Sequence, residues 1–194
     1  MAYVQQILFA LSLGVAGWFI AQRVRFIRKN IALGKSEPVA GPTGERWKNV
    51  VLVAFGQKKM FKRVLPAFFH LLIYVGFLVI NLEVLEFVID GLAGTHRFFA
   101  PYLGSVYPIL MNVFEFLAVA VLVACVVFLV RRNVLKVQRF QSAEMTRWPR
   151  LDATLILTIE IVLMMAILTM NAADQVLQTR DAHYTQTGPL FFSS

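Results

Sequence analysis

The sequence predicts an all-α fold, a polytopic transmembrane helix bundle of four spans, on three observations. Hydrophobic residues make up 58% of the 194, and the mean hydropathy is +0.67. A soluble domain of this length cannot hide that much apolar surface, whereas a bilayer solvates it. Four apolar stretches are each long enough to cross a hydrocarbon layer of about 30 Å. The Lys and Arg residues gather in two connectors between those stretches, which is the signature of cytoplasmic loops.

The first span runs from about residue 4 to 21 and is followed by Arg23, Arg25, Arg28 and Lys29. No basic residues precede it, so it reads as a retained span rather than a cleaved signal. Residues 33–44 contain Gly34, Pro38, Gly41, Pro42 and Gly44 and read as a loop. Residues 45–63 mix Trp47, Val51, Leu52, Val53, Phe55, Met60 and Phe61 with six Lys and Arg residues. That mixture predicts an amphipathic segment in the lipid headgroup region, with Gly56 as a point of interruption. It serves either as a lipid anchor or as a platform for a cytoplasmic partner.

The second span covers about 65–89, and the loop 91–106 after it is rich in Gly, Pro and aromatic residues suited to an interface. The third span covers about 107–130 and ends in Arg131 and Arg132; the fourth covers about 151–173. Together they form one transmembrane domain over residues 1–194. Eleven Lys and Arg residues lie between spans one and two, six between spans three and four, and two elsewhere, Arg97 and Arg180. This asymmetry predicts an outward-facing N-terminus, cytoplasmic basic connectors, and an outer 90–106 loop and C-terminal tail. It also accounts for the net charge of +8 without a nucleic-acid partner.

Cys125 is the single cysteine, so the chain has no internal disulfide and no cysteine-ligated iron–sulfur cluster. It reads as a small apolar filler.

Ionisable groups inside a span are expensive and therefore functional candidates. His70 lies five residues into the second span, about 8 Å along its axis. An imidazole there is either a haem axial ligand or a hydrogen-bonding group between helices. Tyr74 and Asn81 fall on its face, and Gly76 eases close approach of a flat macrocycle or a neighbouring helix. The other histidines, His96 and His183, lie in outer loops. A second axial ligand is therefore expected from outside these four spans, with Met164, Met165 or Met170 as the internal alternative.

Glu83, Glu86 and Asp90 share a different face of the same helix, about 20–30 Å from His70. Asn112 and Glu115 bring the third span to a similar depth, as Asn171 and Asp174 do the fourth. These groups suggest an outer-side proton route or a quinol site, or else pairing with amides and with Arg97 as interhelical glue. Glu160, in the inner half of the fourth span, either bonds the imidazole or a haem propionic group, or braces the helices.

Two longer stretches carry a family resemblance. RWKNVVLVAFGQKKMFKR leading into LPAFFHLLIYVGF resembles the membrane cytochrome b (gamma) subunit of respiratory nitrate reductase and the related heterodisulfide reductase membrane subunit. ACVVFLVRRNVLKVQRF, RWPRLDATLILTIEIVLMMAILTMNAADQ and AHYTQTG resemble the membrane region of bacterial iron–sulfur oxidoreductases, in which such a cytochrome is fused to a cytoplasmic cluster domain. The resemblance covers most of the chain from Glu45 to Gly188.

It implies a b-haem electron conduit in the bacterial inner membrane, an electron-transfer component rather than a self-contained enzyme. It would link a quinone (menaquinone or ubiquinone) to a cytoplasmic iron–sulfur domain or subunit that docks on the 45–63 and 131–150 segments. His70 stands where the family has its first haem histidine. The resemblance also implies a further histidine along this helix in the nitrate reductase branch, whereas the rest of this span has none (position 80, for instance, is Ile80), and the family's fifth helix, with its partner histidines, is expected on another chain or a longer product. The alternative is a haem-free structural or assembly subunit; a transporter is disfavoured because no internal repeat is evident.

Overall fold

The computed structural model describes residues 2–35, 41–58, 60–135, 147–180 and 184–193. Most of the 131–150 connector, together with Lys59 and His183, lies outside the described residues. Among those described, every regular element is helical. Four helices are long and apolar enough to cross a membrane, within Tyr3–Ala32, Val64–Ala93, Ala100–Asn133 and Leu151–Arg180.

The helices outrun the apolar stretches that predict them. Helix α1 spans Ala2–Ala32, continuing through its basic cluster because Arg, Lys and Gln are good helix formers and no breaker occurs before Gly34. The 45–63 segment is not one amphipathic helix. Helix α2 covers Thr43–Asn49 and widens into a π-helical turn over Val50–Phe55. The chain then breaks at Gly56, Gln57 adopts a positive φ of 50°, and a 3₁₀ turn forms over Met60–Lys62.

Helix α3 spans Val64–Ala93, with Pro66 in the first turn where its missing N–H costs nothing. It stops at Gly94, whose φ of 70° and N–H bond to the Asp90 carbonyl make a left-handed C-terminal cap. The short α4 (Ala100–Leu103) and a 3₁₀ turn lead into α5, Tyr107–Asn133. Helix α6 runs over Arg147–Arg180.

The chain divides into two compact units. The first comprises residues 1–67 and 88–95. In it the last turn of α3 approaches α1, and a Cβ added to Gly91 would lie 2.6 Å from a ring carbon of Phe9. Asp90 belongs to this unit and accepts a 2.6 Å hydrogen bond from Thr95 Oγ1.

The second unit, residues 68–87 and 96–194, holds the core. Ala118, Val121 and Cys125 repeat at helical spacing along α5 and pack with Ile80 of α3 and Met164 and Ile167 of α6. In lipid such contacts gain little from hydrophobic burial, so close approach through small residues decides the packing. Gly76 does this for α3: it is buried, and an added Cβ would collide with Cγ2 of Val121. Cys125 is fully buried in the same cluster.

The 184–193 segment folds back along α5 and α6. Leu190 is buried against Tyr107, Met111 and Phe114 of α5. An irregular segment beside apolar helices must have its backbone polar groups satisfied by protein. Here Gln175 Nε2 donates to the Gly188 carbonyl (2.9 Å), and Asn112 Nδ2 to the Pro189 carbonyl (3.2 Å). The Thr187 N–H donates to Gln178 Oε1 (3.0 Å), and the Phe191 N–H to Asn112 Oδ1 (3.0 Å).

Candidate functional site

Three of the carboxylates that the sequence places in the second and fourth spans, Glu83, Glu86 and Asp174, converge on one residue, Arg97, in the turn between α3 and α4. Arg97 is 3% exposed, and its backbone takes a φ of 57°. That left-handed conformation costs a non-glycine residue roughly 1–2 kcal/mol, so the surroundings must compensate. They do so through the guanidinium. Nη2 and Nε donate to Asp174 Oδ2 at 3.0 and 3.2 Å, and Nη2 also donates to Asn171 Oδ1 at 3.0 Å. Nη1 lies 3.8 Å from both Glu83 Oε1 and Glu86 Oε2. The planar fork thereby ties α3 to α6, which a single-point cation could not do as well.

Each remaining partner has a distinct position. Glu86 is saturated: Oε1 accepts the Phe99 N–H (2.8 Å) and Oε2 the Tyr107 hydroxyl (2.7 Å). Asp174 is saturated as well, by Arg97, by Gln178 Nε2 (3.2 Å) and by His96 Nε2 (3.1 Å). A carboxylate only accepts, so His96 Nε2 carries the hydrogen. The Tyr184 hydroxyl lies 2.9 Å from the same nitrogen, with the two rings stacked at a tilt. Burial, with the Asp174 carboxylate nearby, pushes the Tyr184 phenol up to about 12, so it stays neutral at physiological pH. His96 is 42% exposed and forms the solvent-facing edge of the cluster.

Glu83 and Glu115 are different. Both are 0% exposed. Glu83 Oε1 accepts from Asn171 Nδ2 (3.3 Å), and Glu115 Oε2 accepts the Phe192 N–H (2.7 Å). The second oxygen of each, Glu83 Oε2 and Glu115 Oε1, has no hydrogen-bond partner.

The remaining predicted site residues lie apart from this cluster. His70 is exposed on α3, about 20 Å along the axis from Glu83 at 1.5 Å per residue. Tyr74, one turn later, is half-buried; Asn81 is exposed and donates to the Phe77 carbonyl on its own helix. Gly76 faces Val121, so its missing side chain accommodates a neighbouring helix. Glu160 is half-buried, in electrostatic range of Cys125. Met164 is committed to the core, while Met165 and Met170 are exposed.

Two participants were not singled out by sequence. Tyr107 reads as an interfacial aromatic, yet it is buried and holds Glu86. Replacing it with Phe is expected to cost about 0.6–2 kcal/mol, the range for interhelical hydrogen bonds in membranes, measurable as a lower unfolding midpoint in detergent. The 184–193 segment reads as a tail, and the only hint of its packing is the short apolar run PLFF beyond the last span.

When compared with protein-family models, curated proteins and solved structures, the chain finds no match to any.

Proposed function

We propose that this chain is the membrane anchor and electron-transfer module, cytochrome b-like, of a quinone-linked iron–sulfur oxidoreductase in the bacterial inner membrane. In this reading His70 is an axial ligand of a b-type haem, and the basic connectors face the cytoplasm, where the iron–sulfur partner docks. The observation that carries it is His70 itself. Its imidazole is exposed on an apolar helix of spanning length, where a polar ring is costly unless something outside the helix meets it.

The residues around it fit half of a haem site. His70 offers a neutral nitrogen, Tyr74 stands one turn along the same face, and Phe69 forms an edge-to-face pair with Phe128 of α5. No second histidine lies within the described membrane helices, and Met164 is buried in the core. The other axial ligand would come from an element beyond these helices. When bound, the haem would supply reversible one-electron transfer. The chain's own task is to hold its iron at a fixed depth on α3 and to tie that helix rigidly to α5 and α6.

A second reading, a haem-free structural subunit, is favoured by a specific observation: Arg97 and Gly76 both serve helix packing. A reduced-minus-oxidised spectrum of the purified assembly separates the two. The haem reading expects a b-type α-band that His70→Ala abolishes while the helical content is retained. A pigment-free assembly, or a band that persists in His70→Ala, overturns the assignment.

A further inference from the structure

The Arg97 cluster carries more buried negative charge than it has cations to balance. Glu83, Glu86 and Asp174 face Arg97, Asp174 also meets the half-exposed His96, and Glu115 lies within electrostatic range of Glu83; Asn171, Tyr107, Gln178 and Tyr184 supply neutral bonds. Asp174 and Glu86 have both oxygens occupied by donors, which is how ionised carboxylates are stabilised. Arg97 and His96 lie against them. That leaves Glu83 and Glu115, fully buried, within electrostatic range of one another, and each with one oxygen lacking a donor.

Two ionised carboxylates in that position would share one cation, Arg97, which lies 3.8 Å from Glu83 Oε1 and already serves Glu86 and Asp174; buried charge in excess of its partners costs several kcal/mol. One proton removes the conflict. Placed on an unpartnered oxygen of either residue, it cancels one charge and relieves the repulsion between the two. We infer that Glu83 and Glu115 together form an internal proton-binding site, holding one proton between α3 and α5 at neutral pH. The Phe192 N–H, reaching Glu115 from the folded-back segment, keeps the second carboxyl group in place, and both carboxyl groups are fully buried. The assignment narrows the proton-handling expectation to two residues, and it stands whether or not His70 carries haem.

The test is infrared spectroscopy of the full chain in lipid vesicles at neutral pH, without added cofactor. A protonated carboxyl group has a C=O stretch above the amide bands that shifts down in D₂O. Subtracting the Glu83→Gln/Glu115→Gln spectrum from that of the wild type should leave one such band. Glu83→Gln alone should also lose it, because removing one carboxylate removes the repulsion that the proton relieves; that variant should fold even if the double variant does not. An unchanged carboxyl region in Glu83→Gln overturns the proposal. So does the absence of a protonated band in the wild type. If that absence comes with an unfolding midpoint that depends on sodium at constant ionic strength, the occupant is a cation instead.

Discussion

Replacing Arg97 with methionine is expected to destabilise the protein by about 3–5 kcal/mol, the usual cost of removing one partner from a buried ion pair. The size follows from what is left behind. Asp174 would lose both guanidinium contacts, and Glu83 and Glu86 would lose the cation 3.8 Å away. None of the three carboxylates can turn to solvent, since each is at most 5% exposed. The turn from α3 to α4 would also be held less firmly, because the same contacts offset the left-handed backbone at this position. Arg97→Lys should recover part of the loss, retaining the charge but not the fork that reaches Asp174 and Asn171 together. Denaturant titration of the detergent-solubilised chain, followed by helical circular dichroism, measures both. A loss below about 1 kcal/mol in Arg97→Met, the scale of an ordinary surface change, would remove Arg97 from the centre of the network.

Leucine at Gly76 is expected to cost about 2–3 kcal/mol by overpacking the α3–α5 contact. Even a methyl group there would meet Val121 Cγ2, and the remaining leucine carbons have no space among Ile80, Val121 and their neighbours. Gly76→Ala should be milder, and Val121→Ala should rescue much of its cost by removing the opposing methyl groups. A double-mutant cycle on the unfolding free energy reads this coupling directly. Additive effects in that cycle would show that Gly76 and Val121 do not limit the helix separation. Because α3 carries both His70 and Glu83, a shift of this helix should also weaken whatever either residue binds.

How far the sequence reaches differs between residues for identifiable reasons. The four spanning helices are legible because hydropathy over about 20 residues depends on local composition alone. Their ends are not, since a helix continues past its apolar stretch until a breaker such as Gly34 or Gly94 stops it. The 45–63 segment shows the limit of pattern reading. Its apolar and basic residues are those of an interfacial helix, but the backbone widens at Val50–Phe55 and breaks at Gly56, so no single helical face forms.

The carboxylates divide in the same way. Glu83, Glu86, Glu115, Asn171 and Asp174 stand out in sequence because polar groups within apolar spans are rare. The alternative of pairing with Arg97 is also visible there, as a possibility among others. Asp90 shares the helical face of Glu83 and Glu86 but belongs to the first unit, bonded to Thr95. Spacing along a helix ranks neighbours on that helix and contains nothing about what stands opposite.

By itself, then, the sequence determined that this protein is built from four membrane-length helices and which few polar residues they carry inward. Both are properties of local composition. Only the tertiary structure decided that Arg97 is the common partner, that Gly76 admits Val121, and that the 184–193 segment folds back to donate its Phe192 N–H to Glu115. Each of these joins residues tens of positions apart. Their pairing depends on how the helices rotate against one another, which hydropathy leaves undetermined.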